Sequence, residues 1–238
     1  MTKLYLQEQT RIIGMHPNRR LFARAIVRYA TALNAHAQPR PWRNVGIWEL
    51  VGMTGSWAQV LGLYEFSDGW RTLGAMIRQT MQSPAAELAE TYRAVESLRS
   101  GGSDELLLPL EGCPTYDELC SRGAMGPLLI VERVEVEPGH EAHYGQRLLT
   151  EWLPLASEYG HRLLGLYRGA LAEGWVLSYW ATDLERFAAL RQSGAAQRWL
   201  DGVRPDRRGW RQELWTAAPG SRYAGPAFDY GECDIRDQ

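Results

Sequence analysis

The chain is short of the features that mark several large classes of protein. It has three cysteines in 238 residues, Cys113, Cys120 and Cys233. That odd count has no metal-type spacing, so neither a disulfide scaffold nor a zinc site is expected. Cys113 and Cys120 lie close enough across Pro114 for a bridge in an oxidising compartment, but free cytosolic thiols are the simpler expectation. No apolar run reaches the roughly 18 residues that a membrane-spanning helix needs. The 26 Lys and Arg are balanced by 28 Asp and Glu, which leaves no basic footprint for nucleic acid. The first residues enter a strand-like pattern without a secretory layout, so a cytoplasmic location is expected. There is no Gly-x-Gly-x-x-Gly, phosphate loop, Gly-x-Ser-x-Gly or Cys-x-x-Cys. The usual handles for nucleotide cofactors, serine hydrolysis and dithiol redox are thus missing, and no cofactor is expected from motifs. Phenylalanine is also scarce: 4 Phe stand against 10 Trp and 11 Tyr. Trp and Tyr carry a polar group that wants a partner when buried. Their excess suits a ligand cavity or a large subunit interface.

What the chain does have is a repeat. Val45-Gly46-Ile47-Trp48-Glu49 is answered by Leu164-Gly165-Leu166-Tyr167-Arg168. Each phrase is followed by a Gly-containing turn, a second apolar run and a helix start, at Ser67-Asp68 and at Asp183. Each is preceded by a long helical stretch that opens near a proline, Pro17 and Pro138. A repeat this long points to two related domains in tandem.

The periodicity gives the order of elements in each half. In the first half, strands are expected over 3–13, 45–52, 58–66 and 105–110, and helices over 17–37, 68–81 and 85–98. The Gly101-Gly102-Ser103 stretch reads as a loop. In the second half, strands are expected over 128–136, 162–169, 175–181 and 210–215. Helices are expected over 141–159, 184–192 and 195–200. The order is β-α-β-β-α-β twice, which is the ferredoxin-like split βαβ arrangement. The expected fold class is therefore α+β, with two tandem ferredoxin-like domains packing sheet to sheet as an α+β barrel. The domains are placed at 1–112 and 127–217, with a linker at 113–126 and a C-terminal arm at 218–238.

The pattern of strand, turn, long helix and Gly-x-aromatic strand, followed by Gly55-Ser56-Trp57-Ala58-Gln59-Val60-Leu61-Gly62-Leu63-Tyr64-Glu65-Phe66, resembles the NIPSNAP family of the dimeric α+β barrel superfamily. The segments 175–184 and 197–200 are similar to the small monooxygenase-type modules of that superfamily. The resemblance implies a barrel of two ferredoxin-like units. Functionally it implies cofactor-independent oxygenation, cyclisation or isomerisation, or haem binding, or no known activity. The first copy departs from the Pro-Gly turn of the second, with Pro17-Asn18 against Pro138-Gly139.

Several residues could carry chemistry. His161, at the start of a central strand, is a candidate acid or base. His140 and His143 are three apart and lack the four-residue spacing of a zinc-hydrolase helix, so no metal site is expected. If haem binds, His140, His143 or His161 would be its axial ligand. Charges inside strands need a partner or a task. Glu132 and Arg133 read better as ion pairs at strand ends, whereas Glu65 and Arg168 are kept as catalytic candidates. Trp48, Tyr64, Tyr167, Tyr179 and Trp180 could line a space for a planar ligand. The expected function is a small-molecule enzyme acting on a hydrophobic, aromatic or polyketide-like compound by acid–base chemistry. A non-catalytic ligand-binding protein and a haem protein are the alternatives. The site is expected in the second half, between its sheet and the helices 141–159 and 184–200, with the first half, at Trp48, Tyr64 and Glu65, as the alternative. A homo-oligomer is expected.

Overall fold

The computed structural model describes residues 3–14, 16–36, 42–56, 59–81, 86–123 and 126–218. The expectations at Trp57, Pro84, Cys233 and all but the first residue of the arm lie outside these segments. Eight strands alternate with helices in the order β1 (Leu4–Ile12), α1 (His16–His36), β2 (Trp42–Leu50), β3 (Gln59–Phe66), α2 (Trp70–Met81), α3 (Ala86–Glu96) and β4 (Arg99–Pro109). A short helix α4 (Tyr116–Arg122) leads into β5 (Leu128–Glu135), α5 (Glu141–Arg147), α6 (Leu153–Glu158), β6 (Arg162–Gly169) and β7 (Trp175–Thr182). Then come α7 (Leu184–Gln192), α8 (Gly194–Gly202) and β8 (Gly209–Ala217).

The strands close into one antiparallel barrel in the order β1-β3-β2-β8-β5-β7-β6-β4. Each half supplies a sheet of the order fourth-first-third-second, which is the split βαβ arrangement read from the sequence. The two sheets join edge to edge. β2 pairs with β8 from Trp48–Ala217 to Leu50–Trp215, and β4 pairs with β6 from Leu107–Gly169 to Pro109–Tyr167. Closure gives each exposed sheet edge a partner.

Side-chain alternation then sorts residues into layers. The barrel interior holds Tyr5, Trp48, Leu61, Leu63, Leu107, Val131, Tyr167, Tyr179 and Trp215, with Leu119 of α4 packed onto the same cluster. The outer face of the first sheet packs under α1 through Phe22, Ala23 and Ile26, against Ile47 and Val60. The outer face of the second sheet packs under α5 to α8.

The repeated Gly-x-aromatic phrase has a structural cause. Pairing slips by one residue just before Gly46 and again just before Gly165, and the ring two residues on folds back over each glycine. A Cβ at Gly46 would lie 2.3 Å from the Trp48 ring, and one at Gly165 would lie 2.3 Å from the Tyr167 ring. Only a residue without a side chain fits beneath such a ring.

Three local expectations are corrected. β4 begins at Arg99, so Gly101 and Gly102 are strand rather than loop. They pair with Arg11 and Thr10, and a Cβ at Gly102 would lie 2.3 Å from the Gln9 carbonyl oxygen. The connection after β4 contains α4, fixed by a capping box in which Thr115 and Glu118 each bond the other's backbone N–H. The helix expected over 141–159 is interrupted by a π turn, Leu148–Trp152. There the Leu153 N–H bonds the Leu148 carbonyl. The cause is Pro154, which has no N–H to give and whose ring would press on the preceding turn.

Candidate active site

The second sheet presents one row of side chains to its helices: Leu166 on β6, Ser178 on β7, Glu132 on β5 and Gln212 on β8. Glu132 sits in the middle of that row and is 2% exposed. Its neighbours along the same face are Ile130 and Val134, which pack with Tyr144, Leu148, Trp152, Trp180 and Trp199. Among the described residues, no cation lies within ion-pairing distance of it. Its carboxylate oxygens accept from the indole N–H of Trp210, from the Ser178 hydroxyl at 3.4 Å and from the Gln212 amide at 3.4 Å. The last two bonds are long and weak. Burial pushes the Glu132 carboxyl above its ordinary value, and Trp210, the charges of Arg207 and Arg191, and Ser178 offset only part of the shift.

Other polar groups in the same apolar layer also lack partners. The Tyr144 hydroxyl is buried and makes no hydrogen bond. Burial, and then the charge of Glu132, hold its proton on. The Trp199 indole N–H is likewise unpaired, and its ring stacks on Trp152 with centroids 4.6 Å apart. A buried donor left unpaired costs about 1–3 kcal/mol. The Trp180 N–H is satisfied by the Ser178 oxygen at 2.9 Å. The layer thus offers one carboxyl, two unused donors and several flat rings.

Sequence reasoning set Glu132 aside as a strand-end ion pair. That description fits Arg133, which pairs with Glu105 across the barrel mouth at 2.8 Å and lies over the Trp175 ring. The strand period separates the two. Ile130, Glu132 and Val134 share the apolar helix-facing side, whereas Arg133 shares the other side with Val131.

The residues singled out from the sequence are scattered over the barrel. Glu65 reaches the barrel end near α4 and is fully buried. It accepts from Arg43 at 2.5 Å, Tyr5 at 2.7 Å, Lys3 at 3.0 Å and the Tyr116 N–H at 3.0 Å. Despite burial, these donors, Arg43 foremost, hold its carboxyl below the usual range. A carboxylate so fully engaged anchors α4 to the barrel, with Arg43 also gripping Asp117 at 2.7 Å.

Trp48, Tyr167 and Tyr179 are barrel interior. Tyr179 donates to Gln7 across the barrel, and Tyr167 tilts against Tyr5 at 4.8 Å. Tyr64 is buried on β3, and its ring folds back over Gly62 on the same face. Trp180 alone lies in the layer around Glu132.

His161 is buried at the opposite end of the second sheet from Arg168, and neither ring nitrogen has a hydrogen-bond partner. Burial lowers its pKa, so the ring is neutral near pH 7. Beside it, Tyr159, Gly160, Arg162 and Arg186 line an open depression of about 430 Å³. Arg168 faces the start of α5, where it helps to hold the buried Glu141 carboxyl below its usual range, after the N–H of Gly174.

His140 and His143 are exposed at the start of α5, and the layer beside His161 is filled by Trp152, Trp180, Trp199 and aliphatic side chains. Among the described residues, no group of three metal-ligating side chains forms, and no helix is long and apolar enough to cross a membrane.

The architecture is that of the dimeric α+β barrels, with both halves carried by one chain. No family model matches the chain, and no curated protein matches it. Solved structures do. A "putative monooxygenase" from Lactobacillus acidophilus NCFM superposes with a TM-score of 0.63, at 9% identity, over 94% of this chain and 98% of its own. An "anthrone oxidase-like protein" gives 0.56 at 14% identity, over 97% of each chain. A NIPSNAP domain protein from Burkholderia xenovorans covers 37% of this chain with a TM-score of 0.32 at 18% identity. The first two superpositions bear on the fold alone.

Proposed function

We propose that the protein is an enzyme that moves a proton on a small, largely apolar molecule held between the second sheet and helices α5 to α8. The observation that carries this reading is Glu132, a carboxyl buried in an apolar layer without a cation. Ordinary packing does not keep such a group, because its charged form loses hydration and gains little in return. A carboxyl with a raised pKa can give or take a proton near neutral pH. The Tyr144 hydroxyl and the Trp199 N–H would stabilise the oxyanion that forms when a C–H or O–H beside a carbonyl is deprotonated. Because Trp152, Trp180 and Trp199 fill the layer, a planar body would enter by displacing a side chain and would stack on the rings that remain. Proton abstraction of this kind is common to isomerisation, cyclisation and cofactor-free oxygenation. The ring-lined layer favours an aromatic substrate, in keeping with the name of the anthrone oxidase-like neighbour.

Hydrogen–deuterium exchange at the acidic C–H of anthrones, tetralones and β-diketones, followed by NMR, tests the proposal. The protein should catalyse exchange on a member of this panel. Glu132→Gln should slow it by about 10²-fold or more with unchanged circular dichroism. Full exchange activity in Glu132→Gln would overturn the assignment.

A further inference from the structure

Trp210 is at once the donor to Glu132 and a surface residue, 38% exposed. It forms the boundary between the buried carboxyl and solvent. Two guanidinium groups lie against its ring, Arg191 at 5.2 Å and Arg207 at 5.5 Å from the centroid. Arg191 projects from the last turn of α7. Arg207 follows the Arg204–Asp206 turn and is held by a 2.8 Å bond to the Leu200 carbonyl. Among the described residues, neither forms an ion pair. The acids close by in the chain are engaged elsewhere: Asp206 with Arg147, Asp201 with Arg204 and Glu137 with Arg208. Two like charges are thus gathered around one ring without an ion-pair partner among the described residues, and the acid whose charge they feel is Glu132, behind the ring. Like charges repel wherever they are brought together, and arginine suits carboxylate recognition through its planar fork of donors.

We infer that the ligand of this site is an aromatic acid, whose anionic group is received by Arg191 and Arg207 while its apolar body takes the place of the Trp210 ring beside Glu132. This rests on the reading of Glu132 as the proton-transfer group and adds the chemical class of its substrate. Turning Trp210 outward would free the Glu132 oxygen from its donor and open the layer in one movement. The anion would stay at the surface, where both arginines keep contact with water, so only the ring pays for transfer into the apolar layer. Specificity would then come from charge at the door and shape inside it.

The experiment compares 1-naphthoate with its neutral isostere 1-naphthamide by calorimetry and tryptophan fluorescence. The naphthoate should bind about tenfold or more tightly, as expected when a charged pair replaces a neutral contact. The Arg191→Gln/Arg207→Gln double variant should lose that preference while still binding the amide. Trp210→Ala should admit both ligands faster. Equal affinity for the two probes, absence of naphthoate binding at millimolar concentration, or a preference that survives the double variant would each overturn the inference. Glu132→Gln separates the two ideas. It should keep the anion preference and lose exchange activity. A wild-type protein without anion preference whose exchange still depends on Glu132 would sink the aromatic-acid class alone.

Discussion

Glu8 and Glu132 occupy the same place in the two halves. Glu8 pairs across to Gly62 and Asp104, and Glu132 pairs across to Ser178 and Gln212. Both face the helices. Glu8 is met by Arg99 in an ion pair and keeps some contact with solvent. Glu132 has no such partner, and bulky apolar side chains surround it. A second matched pair shows what the fold does with charge when only structure is at stake. Glu49 in β2 is paired with Arg19 of α1 at 2.9 Å. At the matching place Arg168 in β6 forms no ion pair among the described residues and acts on Glu141 of α5 only through longer-range attraction. The signs are exchanged and the strand-to-helix attraction is kept. The missing opposite at Glu132 therefore stands out against the chain's own second copy.

The largest contrast should appear in activity. Glu132→Gln is expected to lower exchange or turnover about 10²-fold or more, and Glu8→Gln to change it less than about twofold. Comparable losses in the two variants, measured on one substrate, would erase the functional difference between the halves.

Backbone packing should come next. Gly165→Ala and Gly46→Ala each force a methyl against a ring, and each should cost about 1–3 kcal/mol in urea denaturation. Loss in only one of them would mean that the two bulges are not equivalent supports.

The pH dependence of stability gives a subtler contrast. The folded-state pKa of Glu132 is raised, so the native protein binds the extra proton between the ordinary carboxylate pKa and the raised one. Stability contributed there falls as pH rises through that window. Glu132→Gln should flatten this decline, and its denaturation midpoint should exceed that of the wild type on the alkaline side. An unchanged slope would show that Glu132 is not held protonated.

The smallest effect is expected at His161. Its pKa is lowered by burial, so the unfolded chain binds the proton more readily and stability falls as pH drops below the ordinary histidine value. His161→Leu should reduce the loss of stability between about pH 7 and about pH 5 and leave turnover unchanged. A drop in turnover of about 10²-fold would bring His161 back as the acid or base.

Much of the fold was legible because its signals are local and doubled. Glycine beneath a ring, a proline before each long helix and two apolar runs per half recur at matching distances, and the strand order of a split βαβ unit follows. Helix α4 is hard to see in the sequence although Thr115-x-x-Glu118 is a capping-box spacing, because Gly112, Pro114 and Gly123 around it are equally turn signals. Gly101 and Gly102 were read as loop by composition, whereas a neighbouring carbonyl crowds Gly102 and calls for a strand without side chains. In the candidate site, Trp180 could be named from its aromatic strand. Glu132 and Arg133 were treated alike because they are adjacent. Which of the two is buried depends on which face the helices cover, and that is decided by packing far along the chain. The roles of Glu65 and Arg168 also depend on partners distant in sequence, Arg43 and Tyr5 for one and Glu141 for the other.

Joining both halves of the barrel in one chain has a consequence for inheritance. In a barrel made from two copies of one gene product, every substitution arrives twice, once on each side of the axis. A carboxyl placed in one layer would then be placed in both, and the destabilisation would be doubled. Here the β2–β8 and β4–β6 seams lie within a single polypeptide. Glu8 can keep its arginine while Glu132 goes without one. On the proposed reading, a single chain lets one half remain a support while the other specialises, with one ligand site per chain.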